Sequence, residues 1–331
     1  MYQKEITDKE AGQRFDKYLR RLLPEAGSSF LYKMLRKKNI TLNGKRADGS
    51  EKIAAGDSVA IYFAEETLTK FMGKTVPERS EYDSAYEKIS GVEVLYEDEH
   101  LILLDKPAGI LSQKASKTDI SLNEWLIGYL LQSGSMDQEA LKLYKPSVCN
   151  RLDRNTRGIV LCAKSLKGAQ LLGDLLHSRT LHKYYQLYVK GIITEEHLIE
   201  GYLEKDECHN KVSIVTSGTP NAYIKTKYRP LKVESDKTLL EVELLTGKSH
   251  QIRAHLASIG HPLLGDYKYG DKKWNDIYYK KYHIDSQLLH AYKVVFPELD
   301  SPFEKISGRT FYSKVPAVFG KVSRMQDKNP G

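Results

Sequence analysis

The spacing of apolar side chains divides the chain into a short helical unit, an irregular stretch and a long region rich in strands. In RFDKYLRRLL, Phe15, Tyr18, Leu19 and Leu22 recur at helical intervals, so they share one face while Lys17, Arg20 and Arg21 point elsewhere. Pro24 and Gly27 end this helix. Ser28 or Ser29 caps a second, with Leu31, Met34 and Leu35 on its apolar side and Lys33, Arg36 and Lys37 beside them. ITLNGKR then sets an Asn-Gly turn between extended residues, and GDSVAIYF adds an alternating strand that closes the unit near Phe63. Residues 65–91 mix charges without a sustained apolar period and contain Pro77, the pattern of a tether that lets flanking domains reorient.

From Val92 the pattern changes to short strands, VEVLYED and LILLDKPAG, followed by a helix around Leu122 to Leu131. GIVLCAK is apolar at nearly every position, as suits a strand buried on both faces. GAQLLGDLLHS carries apolar residues at 169, 171, 172, 175 and 176 and reads as a helix. YYQLYVKG, KVSIVTS and LLEVELLTG extend the sheet, QIRAHLASIG is a helix ended by Gly260, and SRMQDKNPG is a frayed tail. The expected organisation is a small αβ domain over 1–64, a linker over 65–91, a larger domain over 92–322 and a tail over 323–331.

Composition narrows the class. A chain of 331 residues, 40% hydrophobic with mean hydropathy −0.49, is an ordinary globular protein with no apolar run of the roughly 20 residues needed to cross a bilayer. The start, MYQKEITDKE, lacks a basic region followed by an apolar one, and a cytoplasmic location is expected. Cys149, Cys162 and Cys208 are too few and too scattered for a disulfide framework or a four-ligand zinc site, and are read as reduced thiols. From Arg14 to Arg46, ten lysines and arginines stand against Asp16 and Glu25; their net +8 equals the formal charge of the whole chain. Positive charge concentrated on one small unit is the footprint of a polyanion partner, although a solvated basic face would look the same.

Candidate chemistry sits in NRLDRNTRG, where Arg151 and Asp153 flank a single residue just before the apolar strand. A carboxylate at a core entrance needs a cation or several hydrogen bonds to stay charged, and Arg151 and Arg253 are the candidates. Taken alone, this Arg-x-Asp reads as an interior ion pair that fixes a loop.

Five segments in order resemble the RluA family of pseudouridine synthases over about residues 92 to 320. LLDKPAGILSQK is similar to the family's Lys-Pro-Ala-Gly turn, and NRLDRNTRGIVLCAKS to the motif bearing its catalytic aspartate, which falls on Asp153. KYYQLYVKG resembles the Lys-x-Tyr segment, mapping its tyrosine to Tyr185 rather than Tyr184. LLTGKSHQIRAHLASIGHPLLGDYKYG resembles the Thr-Gly-Arg-x-His-Gln-Ile-Arg run continuing through Gly-Asp-x-x-Tyr-Gly, with the partner arginine at Arg253; LLHAYKVVF matches a later Leu-His-Ala strand. Residues 12 to 63 resemble the small RNA-binding domain first described in a ribosomal small-subunit protein. Three positions depart from the pattern: Asn150 stands in place of His, Arg157 of Ser and Lys248 of Arg. Arg157 is expected either to contact a phosphate or to face solvent.

The resemblance implies an α+β enzyme: a catalytic domain on a mixed, mainly antiparallel sheet with flanking helices, plus a small N-terminal αβ RNA-binding domain. It implies isomerisation of uridine in structured RNA, with large-subunit ribosomal RNA as the expected target and transfer RNA as the alternative. No cofactor or metal is expected, since the reaction is redox-neutral, and no obligate protein partner is evident. Asp153 is the expected nucleophile at ribose or uracil, or a base in an elimination route; Tyr185 is expected to stack on the flipped base and Arg253 to pair with Asp153. Arg151 is expected to fill the gap left by the extruded base, and Lys17, Arg20, Arg21, Lys33, Arg36 and Lys37 to contact RNA. His250, Gln251 and His255 read as braces rather than proton carriers. YKYGDKKWNDIYYKKYH interleaves lysines with aromatics, as an RNA surface would, or as a loop whose rings pack back onto the domain. The competing functions are a non-catalytic RNA-binding assembly factor of the same fold and a nucleoside hydrolase.

Overall fold

A computed structural model describes residues 1–8, 10–72, 81–206 and 211–323. The small unit is built from β1 (Tyr2–Glu5), α1 (Phe15–Leu22), α2 (Ser28–Arg36), β2 (Ile40–Leu42), β3 (Lys45–Arg46) and β4 (Ser58–Ile61), with its four strands in the order β1-β4-β2-β3. The two helices bury the stripes their spacing predicts: Phe15, Tyr18 and Leu19 from α1, and Leu31, Met34 and Leu35 from α2. Asn43 and Gly44 both have positive φ, as the tight β2–β3 turn requires.

The stretch read as a tether contains two helices. In α3 (Glu65–Met72), Leu68, Phe71 and Met72 pack on the small-domain core, and Phe71 lies 4.7 Å from Phe30 between ring centroids. In α4 (Glu81–Lys88), Ala85 is fully buried, while Tyr86 packs on Trp125 of the larger domain. Short helices anchored by two or three apolar residues carry too little periodicity to be seen locally, because tertiary packing supplies their stability. Between them, residues 73–80 lie outside the described residues, as do Cys208 and all of the tail expected over 323–331 except Ser323, which ends a helix.

The larger domain continues with β5 (Glu93–Glu97), β6 (Leu101–Lys106), α5 (Leu122–Gln132), α6 (Gln138–Leu143), β7 (Ser147–Val148), β8 (Arg157–Ala163), α7 (Leu166–Ser178) and β9 (His182–Lys190). Next come β10 (His197–Asp206), β11 (Lys211–Val215), β12 (Tyr223–Val233), β13 (Lys237–Leu244), α8 (Gln251–Ser258), α9 (Lys272–Tyr282), β14 (Leu289–Val295), β15 (Thr310–Tyr312) and α10 (Ala317–Ser323). The main path of its eleven-stranded sheet runs β11-β10-β12-β13-β9-β14-β8-β6-β5, antiparallel except where β14 meets β8. Most of the lysine- and tyrosine-rich segment forms helix α9, capped by Asp271; the helix buries Trp274 and Tyr278 against Asp236 and leaves its four lysines exposed, whereas Lys268 before it is half-buried.

What positions the site is the changing neighbour of β8. Its start pairs with β14 at Arg157 and Gly158, and its end pairs with β7 at Cys162 and Ala163. Gly158, at φ +120°, lies so close to β14 that a Cβ would meet the Ala291 carbonyl oxygen at 2.1 Å. Where the strands part, a small cleft opens among Asn150, Leu161, Tyr184, Tyr185, Ala291 and Lys293. The loop between β7 and β8 carries Asp153, two residues beyond Arg151. Among the described residues no helix is long and apolar enough to cross a membrane.

Candidate active site

Asp153 and Arg253, one hundred residues apart, meet here: Arg253 Nη1 donates to Asp153 Oδ2 at 2.9 Å. The other side of the guanidinium is clamped by Asp266, whose carboxylate accepts from Nε at 2.7 Å and Nη2 at 3.0 Å. Asp266 is itself fully buried and accepts the backbone N–H groups of Lys268 and Tyr269, so the fork is rigid before any ligand arrives. Burial by itself would lower the Arg253 pKa, but the bonds to Asp266 and Asp153 outweigh it and raise it. Arg253 therefore presents a fixed positive edge to a carboxylate that is only partly covered.

The aspartate loop is stapled from behind. Fully buried Lys106, from the Lys-Pro-Ala-Gly turn, donates to the carbonyls of Pro107 at 3.0 Å, Ile110 at 2.8 Å and Arg154 at 3.0 Å. Burial pushes its ammonium down to about 7 against the pull of Asp153 and Asp105, while three carbonyl acceptors match the three N–H bonds of the charged form and favour it. Ser112 closes the loop by accepting from the Leu152 N–H and donating to the Leu152 carbonyl, both at 3.0 Å. Tyr185 is buried in the core cluster shared with Leu152 and Ile252, and burial first, then the charge of Asp153, raise its phenol pKa. Tyr184 points the other way, with Lys293 Nζ 3.8 Å from its ring centroid. Strand alternation decides between the two tyrosines.

Residues 100–258 match the sequence profile of the family described as RNA pseudouridylate synthase. Ribosomal large subunit pseudouridine synthase C of Vibrio vulnificus is 30% identical, covering 91% of this chain and 90% of that protein. The protein of the same name from Rickettsia bellii is 31% identical over 93% of this chain and 96% of its own length. The chain belongs to this family. Human RNA Pseudouridylate Synthase Domain Containing 4 shares the fold, with a TM-score of 0.57 at 21% identity over 76% of this chain and 98% of that one. The protein is thus a pseudouridine synthase acting on RNA, which sets aside the readings as a non-catalytic factor and as a hydrolase.

Two of the three departures from the family pattern, Asn150 and Arg157, have side-chain partners in this synthase. Asn150 Oδ1 accepts from the Leu161 N–H at 2.7 Å and braces the aspartate loop against β8. Arg157 is partly exposed, and its Nη2 reaches Asp105 Oδ2 at 3.5 Å. The Lys248 N–H is taken by Gln251 Oε1, which also accepts from Thr246, while buried His255 bonds Thr226 through Nδ1. Arg151 is exposed, two residues before Asp153, with no side-chain partner among the described residues. On the small domain, Lys17, Arg20, Lys33, Arg36 and Lys37 are exposed; Arg20 pairs with Asp16 at 3.8 Å. Arg21 is half-buried, bonded to Gln13 at 3.1 Å, and its guanidinium lies 6.0 Å from the Tyr144 ring centroid. It faces the larger domain.

The pattern of residues along the chain points to His250 as a brace but does not single out Lys106, Asp266 or Tyr269 as makers of the site. The Gly-Asp-x-x-Tyr-Gly resemblance contains both Asp266 and Tyr269 but does not say which distant group they meet.

Proposed function

We propose that this synthase isomerises a uridine of large-subunit ribosomal RNA, with Asp153 as nucleophile, Arg253 holding it, and Tyr185 packing on the flipped base. The observation that carries the reading is the Asp266–Arg253–Asp153 arrangement, in which Arg253 engages Oδ2 of Asp153 and leaves Oδ1 outside its grip. In the reaction the C1′–N1 bond breaks, the uracil turns, C5 joins C1′, and C5 loses its proton. Attack at ribose, addition to the uracil ring and an elimination route all demand a charged, aimed carboxylate with one free oxygen. Extruding the base costs a few kcal/mol and leaves a gap, which Arg151, an exposed side chain two residues from Asp153, fills in this reading. Curated relatives from Vibrio vulnificus and Rickettsia bellii, both named for the ribosomal large subunit, support the target. The basic helices α1 and α2 supply phosphate contacts away from the cleft.

The test is a map of pseudouridine in cells lacking the protein, complemented with wild type or with Asp153→Asn. Loss of a large-subunit site that only wild type restores is the expected result. A lost site in transfer RNA would overturn the target, and restoration by Asp153→Asn would overturn the nucleophile.

A further inference from the structure

His250 stands immediately before α8 with φ +56° and ψ 13°, a left-handed conformation uncommon for a residue bearing a side chain. Its ring is held from one side. Tyr269 Oη lies 2.9 Å from His250 Nδ1 and also accepts the Val212 N–H at 3.0 Å. A phenol oxygen that already accepts from Val212 is completed best by donating its own proton, and His250 Nδ1 is the acceptor within reach among the described residues. Nδ1 is then unprotonated, and the ring proton sits on Nε2. That nitrogen faces Asp153 Oδ2 at 3.9 Å, the same oxygen that Arg253 engages. Burial lowers the His250 pKa against the pull of Asp153, with Arg253 and Lys268 lowering it further, so the ring is neutral at neutral pH.

We propose that His250 is a positioning residue for the isomerisation: locked by Tyr269 as the neutral Nε2–H tautomer, it holds Asp153 from the Oδ2 side so that Oδ1 is the reacting oxygen. This rests on Asp153 being the nucleophile. Neutrality is the point of the arrangement. A second full cation at this range would hold the carboxylate more tightly and blunt it, whereas a neutral N–H orients it and leaves its charge available. At 3.9 Å the contact is longer than a hydrogen bond, and it shortens when the target nucleotide fills the cleft. Val212 belongs to β11, so the same chain of groups ties the β10–β11 hairpin to the nucleophile.

The proposal is tested in the full-length enzyme with 15N-labelled histidine and single-turnover kinetics at saturating RNA. At neutral pH the wild-type His250 signals should show a protonated Nε2 and a bare Nδ1, and Tyr269→Phe should give averaged tautomers. His250→Gln places an amide near the Nε2 position and should keep the rate within about threefold, whereas His250→Asn reaches only the Nδ1 position and should lose about tenfold with RNA affinity unchanged. Equal losses in the Gln and Asn variants, a full rate in His250→Asn, or an Nδ1–H tautomer in wild type would overturn it. Turnover by Asp153→Asn would instead refute the nucleophile, an outcome separable from any of these.

Discussion

Arg253 is one guanidinium serving two carboxylates, and the two contacts do different work. Asp266 takes two of its nitrogens in a buried fork, which fixes where the third nitrogen meets Asp153. Asp153→Asn should therefore abolish turnover while RNA binding and thermal stability stay near wild type, as filter binding and a melting curve would show. Arg253→Leu removes the aiming cation and strands Asp266 in the core; single-turnover rates should fall about 10²–10³-fold, and near-wild-type rates would mean that another group holds Asp153. Lys106→Met leaves three carbonyls of the Lys-Pro-Ala-Gly and aspartate loops without their donor. A loss on the order of 3 kcal/mol is expected, read as a melting temperature lower by several degrees together with reduced turnover. Retained stability would show that water replaces the ammonium.

At the scale of elements, the site depends on β8 leaving β14 after one short parallel contact. Gly158 makes this possible, combining φ +120° with an approach that leaves no space for a Cβ beside Ala291. Gly158→Ala should cost about 3 kcal/mol or more from strain and overlap together, shifting the melting midpoint by on the order of 10 °C. A variant as stable as wild type would show that β14 gives way easily. Helices α3 and α4 teach a related lesson. Their apolar residues are sparse because each needs only one anchor face, and the two anchors belong to different cores.

Across the whole molecule the charge and the chemistry lie in different places. The exposed cations of α1 and α2 belong to the small domain, which touches the larger one through Asp8 and Lys167 at 3.8 Å, Gly12 and Gln170 at 3.3 Å, and the Arg21–Tyr144 stack. Replacing Lys17, Lys33, Arg36 and Lys37 with Gln in the full chain should weaken RNA binding and flatten its salt dependence by about 0.7–0.9 for each phosphate no longer neutralised, with the single-turnover rate at saturating RNA unchanged. An unchanged salt slope would refute the RNA-binding role of this face. Arg21 stays out of that set because its guanidinium is turned toward Tyr144.

The amino-acid sequence by itself determined what depends on neighbours along the chain. The stripes of α1 and α2, the Asn43–Gly44 turn and the continuous apolar run of β8 follow from local periodicity and backbone preference, and five ordered motifs established the reaction class. Tertiary structure decided which polar groups meet. Nothing local to Asp266 says that it grips Arg253, nothing local to Lys106 says that its amine staples the loop after Asp153, and nothing local to His250 says which ring nitrogen carries the proton. The reason is physical: a helix or strand repeats along the chain and is written there, whereas the partner of a buried charge is whichever distant segment the packing brings within about 3 Å.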